Sequence, residues 1–433
     1  MKCVRTILLT ITLLLGKAGV GFSQDFARLS ERTVMGTARY VGMGGAMSAV
    51  GADPSAVLDN VAGLGLYRRP EVMITFDYVP RSIFMAPQGS AIFSFQTGQV
   101  SGVLFHNFMI GYHRVQCFNN SMTGVGGNGP SLGALFASTK VPMGIPYNTD
   151  RNHAWDSLSV SESGYANEYT FDWAMNISDR WYVGLGLRVQ SFMMSSNGDY
   201  YEVFDKQNAE GQYAFNHSRT SLIFSGAGCS FAAGLIYRPQ SWLRLGFGLE
   251  TPSVGNMTTS SSGTFDARTD SLRRGYDAPY KRPETSAFHM PLRLSTSVAL
   301  QLQNYAMIAL QYDYRHLIDK IYDIHSLRAG VEVVPYPGVY INAGYIFESP
   351  FKTNIPACPI DPKLERQDAY YQYPKWQQYI SGGVGYRGNY IIVQAAYQFR
   401  MNRFKLYAHE NAEPYNIAQD THRIVLTLAW HGR

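Results

Sequence analysis

The stretch Trp181-Tyr-Val-Gly-Leu-Gly-Leu-Arg-Val-Gln190 puts Trp181, Val183, Leu185, Leu187 and Val189 on one parity and Tyr182, Gly184, Gly186, Arg188 and Gln190 on the other. A period of two is the pattern of a β-strand with two unlike faces. One face is unbrokenly apolar, while the other mixes Gly, Tyr, Arg and Gln. The same texture recurs at 71–78, where Val72, Ile74, Phe76 and Tyr78 alternate with Glu71, Met73, Thr75 and Asp77. It recurs again at 243–250 and at 391–399.

Working outward from 181–190, about fourteen such segments can be marked, near 71–79, 89–97, 101–112, 165–177, 181–194, 220–237, 241–251, 291–302, 304–315, 324–334, 338–347, 377–386, 389–399 and 421–430. Their connections largely alternate in length. Short turns at 98–100, 178–180, 239–240, 303, 335–337 and 387–388 are interleaved with longer loops at 114–164, 195–219, 252–290, 348–376 and 400–420. Membrane barrels segregate short periplasmic turns from long external loops in this way, which puts both chain ends on the periplasmic side. The expected fold is all-β, a transmembrane antiparallel β-barrel of about fourteen strands.

Composition points the same way. The 433 residues include 30 Tyr, 23 Phe and 41 Gly with only 16% charged residues, and the mean hydropathy is -0.16. A helical membrane protein needs apolar runs of about 20 residues, and none follows the N-terminus. Residues 1–23 read as a secretory signal, with Lys2 and Arg5 before the apolar run 7–15 and small residues up to Ser23. Removing Lys2, Arg5 and Lys17 with that segment takes the net charge from +5 to +2. Nothing basic enough for nucleic acid remains.

Cys3 lies in the signal, leaving Cys117, Cys229 and Cys358. That odd number, without a CxxC pair, makes no disulfide framework or metal site. Cys117 and Cys358 both fall in expected external loops, so a disulfide between them is one arrangement open in an oxidising compartment. Cys229 reads as a small apolar strand residue.

Before the first strand the texture changes. Residues 36–67 read GTARYVGMGGAMSAVGADPSAVLDNVAGLGLY, with Gly42, Gly44, Gly45, Gly51, Gly63 and Gly65 and no apolar periodicity. Glycine permits close backbone approach, which suits a compact plug wedged in something larger. Asp53-Pro54 reads as an N-cap followed by a first helical residue. The expected organisation is a signal peptide over 1–23, an N-terminal Gly-rich hatch over 24–70 plugging the lumen, and the barrel over 71–433.

Gly36 to Ala46, Gly51 to Ala56 and Asn60-Val-Ala-Gly-Leu64, followed at once by a strand, resemble the outer-membrane long-chain fatty-acid and toluene transporter family. The resemblance is greater to its Bacteroidetes branch, whose members are often labelled haemin receptors. It is specific in motif across about 36–67 and covers the mature chain in architecture. In that family the segment corresponding to 60–62 is Asn-Pro-Ala and belongs to a hatch beside the substrate path. Asn60 and Ala62 match and Val61 replaces the proline, so the φ that proline would fix is free here. The resemblance implies a gating role for Asn60 and Ala62, with Gly63 beside them and Gly44 and Gly45 in the same hatch. Capping of a short turn would account for Asn60 equally well. The family also uses a kinked third strand as a lateral exit. Here the alternation blurs at His106, Asn107 and Phe108, where an unpaired residue would bend the strand.

The expected lumen face collects Asp172, Arg188, Arg244, Glu250, Arg293, Asp313, Arg328, Glu332 and Arg423. Buried charges need partners, so pairing across the bore is the first expectation. Arg188 and Arg244 are also the residues able to hold a ligand carboxylate. No catalytic or metal constellation emerges. Gly42-Met-Gly-Gly45 has no βαβ unit around it. Gly129-Pro-Ser-Leu-Gly133 lies in a loop and not at a strand-to-helix elbow. His106, His113 and His153 lack ligand spacing.

The reading is therefore a monomeric outer-membrane channel, neither enzyme nor cofactor protein, for passive uptake of small hydrophobic molecules. Its partners would be an apolar ligand and membrane lipid. The alternatives are a non-transporting scaffold for secretion or surface attachment, and a haem-binding receptor.

Overall fold

The structure, a computed structural model, describes residues 33–80, 84–97, 102–133, 150–207, 210–268, 273–316, 323–350, 352–354, 370–409 and 412–432. The expected signal peptide and Cys358 lie outside these residues. Fourteen strands form the wall: β1 (Glu71–Val79), β2 (Phe84–Gln96), β3 (Val103–Cys117), β4 (Trp155–Ile177), β5 (Trp181–Gln207), β6 (Tyr213–Gln240), β7 (Leu243–Glu250), β8 (Leu292–Leu302), β9 (Ala306–His316), β10 (Ile324–Tyr336), β11 (Val339–Glu348), β12 (Gln377–Arg387), β13 (Ile391–Met401) and β14 (Thr421–His431). Each is antiparallel to the next. β14 returns to pair with β1, Trp430 opposite Val72 and Leu428 opposite Ile74, which closes the ring and removes both sheet edges.

Alternation along each strand sorts the side chains. On β1, Val72, Ile74, Phe76 and Tyr78 face out while Glu71, Met73, Thr75 and Asp77 are buried inside. The same outward belt continues through Leu185, Phe231, Leu310, Ile341, Val393 and Leu426, each at least 46% exposed. An apolar surface that encircles the molecule is far larger than a water-soluble monomer tolerates. A polar bore inside an apolar belt is the architecture of an outer-membrane β-barrel. At the short-turn end, Trp181 stacks on Tyr237 with ring centroids 4.1 Å apart, where an interfacial aromatic girdle belongs.

Inside the bore lies the segment from Thr33 to Tyr67, almost wholly buried. It holds α1 (Ala38–Gly42), α2 (Pro54–Val57) and a 3-10 turn, Val61–Leu66. Asp53 caps α2 by accepting from the Ser55 amide at 2.9 Å, with Pro54 at the first helical position. Val41, Met43, Met47 and Val50 pack with Ala299, Ala309 and Val425 of the wall.

β4, β5 and β6 are longer than the alternation suggests. They begin at 155, run on to 207 and begin at 213, which carries them past the membrane-spanning part. Val254–Arg268 and Arg273–His289 form a further hairpin in the expected 252–290 loop, and its first strand pairs with β6. A four-stranded sheet, Lys352–Asn354, Tyr370–Gln372, Arg403–Tyr407 and Tyr415–Ala418, completes an external cap.

Candidate functional site

The lumenal segment is tied to the wall by backbone fit and by charge. Gly44 has φ +62°, and a Cβ there would stand 2.9 Å from the Tyr345 amide nitrogen of β11. Only glycine permits both the conformation and the approach. On the opposite wall Gly184 of β5 leaves room for the 3-10 turn, since a Cβ would sit 2.7 Å from the Val61 carbonyl carbon. Gly45 and Gly63 are buried within the same segment.

Asn60 does two jobs. Its Oδ1 accepts from the Ala62 amide at 3.1 Å, capping the turn, and its Nδ2 donates to Ser48 O at 3.0 Å and to Leu235 O of β6 at 3.2 Å. Cap and wall contact therefore coexist in one side chain. Asn107 of β3 works at the other end of the turn, donating to Leu64 O at 2.8 Å and Tyr67 O at 3.0 Å.

His106 and Phe108 face outward. His106 stacks on Trp173 at 5.9 Å, and Phe108 meets Phe95 edge-on at 6.0 Å. The ladder is regular on both sides of 106–108. Register shifts fall instead between Val103 and Phe105 and between Arg114 and Gln116, so the irregularities of β3 flank the expected place.

Six guanidiniums of the bore meet carboxylates among the described residues. Arg188 binds Asp172 and lies 3.5 Å from Glu168, and it donates to Val57 O of the segment at 3.1 Å. Arg328 joins Asp313 at 2.9 Å and Asp59 at 3.1 Å, and Arg315 joins Glu348. Arg293 spans Asp59 and Glu250, each at 2.8 Å. Nearer the periplasmic end Arg39 pairs with Glu332 at 2.7 Å, and toward the external ends of β1 and β14 Arg423 pairs with Asp77 at 2.9 Å. Arg244 differs: it is only half-buried and donates to Val50 O at 2.7 Å and Gln301 Oε1 at 3.0 Å. Of the two arginines expected to hold a ligand carboxylate, Arg188 is fully buried and already shared between two acids.

Asp59 is the residue that strand alternation did not find. It accepts from Tyr40 Oη at 2.6 Å as well as from Arg293, Arg328 and, at 3.3 Å, Gln311. The available signal was its acid in a segment otherwise dominated by Gly and Ala.

Directly on the external side of this network is a cavity of about 40 Å³. Glu168, Gln190, Glu250, Arg293 and Arg315 line its polar side, and Val115, Ala166, Phe192 and Met290 line its apolar side. The apolar lining continues outward into Phe118, Met194, Leu222, Phe224 and Met257. No histidine lines it. On the outside of the same sector, where β3 to β6 close on the 3-10 turn, a lipid-facing groove of about 610 Å³ is lined by Phe93, Phe108, Ile110, Phe171, Trp173 and Phe231.

The cap holds a third cluster. His153 Nε2 lies 3.2 Å from Asp156 and Nδ1 lies 3.5 Å from Glu202. Burial opposes charging of this imidazole, yet the two carboxylates outweigh it and push its pKa up to about 9. Ser131 of the GxSxG stretch donates to Glu202 at 2.9 Å, not to a histidine. Among the described residues no group of His, Cys, Asp and Glu has metal-site geometry.

The sequence matches no family model and no curated protein. Solved structures do match in fold. The toluene transporter TbuX of Ralstonia pickettii superposes with TM-score 0.52 at 14% identity, over 92% of this chain and 98% of that one. A FadL homologue from Pseudomonas aeruginosa gives 0.54 at 11%, over 92% and 99%, and the P. putida toluene transporter TodX gives 0.51 at 12%, over 93% and 99%. The chain has the fold of these FadL-type transport barrels, expected from its N-terminal motifs and found along nearly its whole length.

Proposed function

We propose that this chain is an outer-membrane channel for passive passage of small hydrophobic molecules, with the lumenal segment as its hatch. The observation that carries the reading is the amphipathic cavity seated on that segment: Arg293 lines the cavity and also binds Asp59 of the segment. A ligand would be gathered by the aromatic cap, enter the apolar cluster around Phe192 and Phe224, and reach the charged floor. At 40 Å³ the cavity holds little more than a water, so passage requires the segment to shift. The groove over Phe108 and Trp173 supports sideways release into lipid, and the fold shared with toluene transporters supports an apolar cargo. Domain limits of 24–70 for the hatch and 71–433 for the barrel follow from the same reading.

Reconstitution tests it. Liposomes containing the full chain should take up an apolar naphthylamine dye faster than empty liposomes. Equal rates overturn the channel. The network of paired charges across the bore favours a second reading, a non-transporting scaffold, and equal rates would support it.

A further inference from the structure

The polar side of the cavity is not arranged for an anion. Its guanidiniums and those paired with its acids are Arg188, Arg293 and Arg315, and the ion pairs described above set five carboxylates, of which Asp59 is also held by Arg328, against these three cations. An entering carboxylate would have to displace one of those acids and would add to the negative excess. A positive charge would reduce it.

An independent observation comes from Gln190. Its side chain lines the cavity and is buried, with 7% exposure. Its Nε2 donates to Ser230 Oγ at 3.2 Å and to Glu250 Oε1 at 3.3 Å. Donation to the carboxylate fixes which end of the amide is nitrogen. The remaining Oε1 accepts from no donor among the described residues. A buried acceptor without a donor is costly, and a ligand N–H would satisfy it.

Building on the channel reading, we propose that the cavity selects lipophiles with a positively charged nitrogen over those with a carboxylate. The ammonium would donate to Gln190 Oε1 beside Glu168 and Glu250, and the hydrocarbon would lie along Phe192, Met290 and Val115. The flexible methionines of the apolar cluster can repack around chains of different shape.

The test uses the full chain purified in a neutral maltoside near neutral pH, with decylamine, decanol and decanoate as probes of equal chain length in calorimetric titration. Decylamine should bind at least about tenfold more tightly than decanoate, and more tightly than decanol. Gln190→Leu should weaken decylamine by about tenfold and decanol, a neutral donor, by less. Decylamine binding no more tightly than the other two overturns the inference and leaves the channel reading standing. Failure of all three to bind overturns both. Because the ranking is measured on the unaltered chain, it does not depend on whether the variant folds.

Discussion

Arg293 of β8 holds Asp59 of the lumenal segment at 2.8 Å with one nitrogen and Glu250 of β7 at 2.8 Å with another. One guanidinium thus joins the wall, the lumenal segment and the floor of the cavity. Removing one partner of a buried pair costs about 3–5 kcal/mol, because the other charge stays buried. Asp59→Ala should therefore loosen residues 36–66, seen as faster amide exchange there. The barrel should keep its heat-modifiable mobility in gels. Asp59→Leu combined with Arg293→Met should cost less than the two single changes added together.

A second prediction concerns close backbone approach. Gly184→Val places a branched side chain where the Val61 carbonyl already stands, at 2.7 Å for Cβ alone. The 3-10 turn must move away. Dye uptake by the reconstituted chain should rise if the segment is the barrier, and unchanged uptake would count against gating.

Asn60 combines a cap with two donations to backbone carbonyls. Asn60→Asp keeps the cap acceptor and loses both donations, whereas Asn60→Ala loses everything. Each should destabilise the turn by about 1–3 kcal/mol, with Ala the worse, measured by exchange at Ala62 and Gly63. Equal effects would mean that the cap acceptor contributes nothing beyond the two donations.

The cap should respond to alkali. His153 is buried between Asp156 and Glu202 and faces Tyr200 and His409 nearby. Its pKa rises from about 6.5 when unfolded to about 9 when folded. The stabilisation from its charge is complete below about 6.5 and fades as pH climbs through about 9. Amide exchange around 152–156 and 200–203 should accelerate over that interval. In His153→Gln the acceleration should vanish.

The wall was legible in the sequence because lipid imposes contrast: Val72, Ile74 and Phe76 must be apolar while Thr75 and Asp77 need not be. That contrast fades above the membrane. Ser157, Ser159 and Ser161 alternate with Leu158, Val160 and Glu162, so the apolar parity now faces inward and water meets the other face. For this reason the alternation does not reveal the outer ends of β4, β5 and β6 or the 254–289 hairpin. Lumen charges such as Arg188 and Arg293 were placed by parity alone, but parity says nothing about partners. Which wall residue meets Asp59 depends on how an aperiodic segment threads a curved bore, and no repeat in the chain encodes that.

The seam between β1 and β14 joins the two extremes of the wall, and the lumenal segment is sewn to that same seam: the Ala38 amide donates to Thr427 at 2.9 Å and Arg423 donates to Val34 O at 2.6 Å. β14 therefore supplies both the closing ladder and an anchor for Val34 and Ala38 of the lumenal segment. Closing the ring and holding the segment thus draw on one short stretch, residues 423–428. A chain without residues 421–431 would lose the joint of its wall and, in the same stroke, the mooring of Val34 and Ala38.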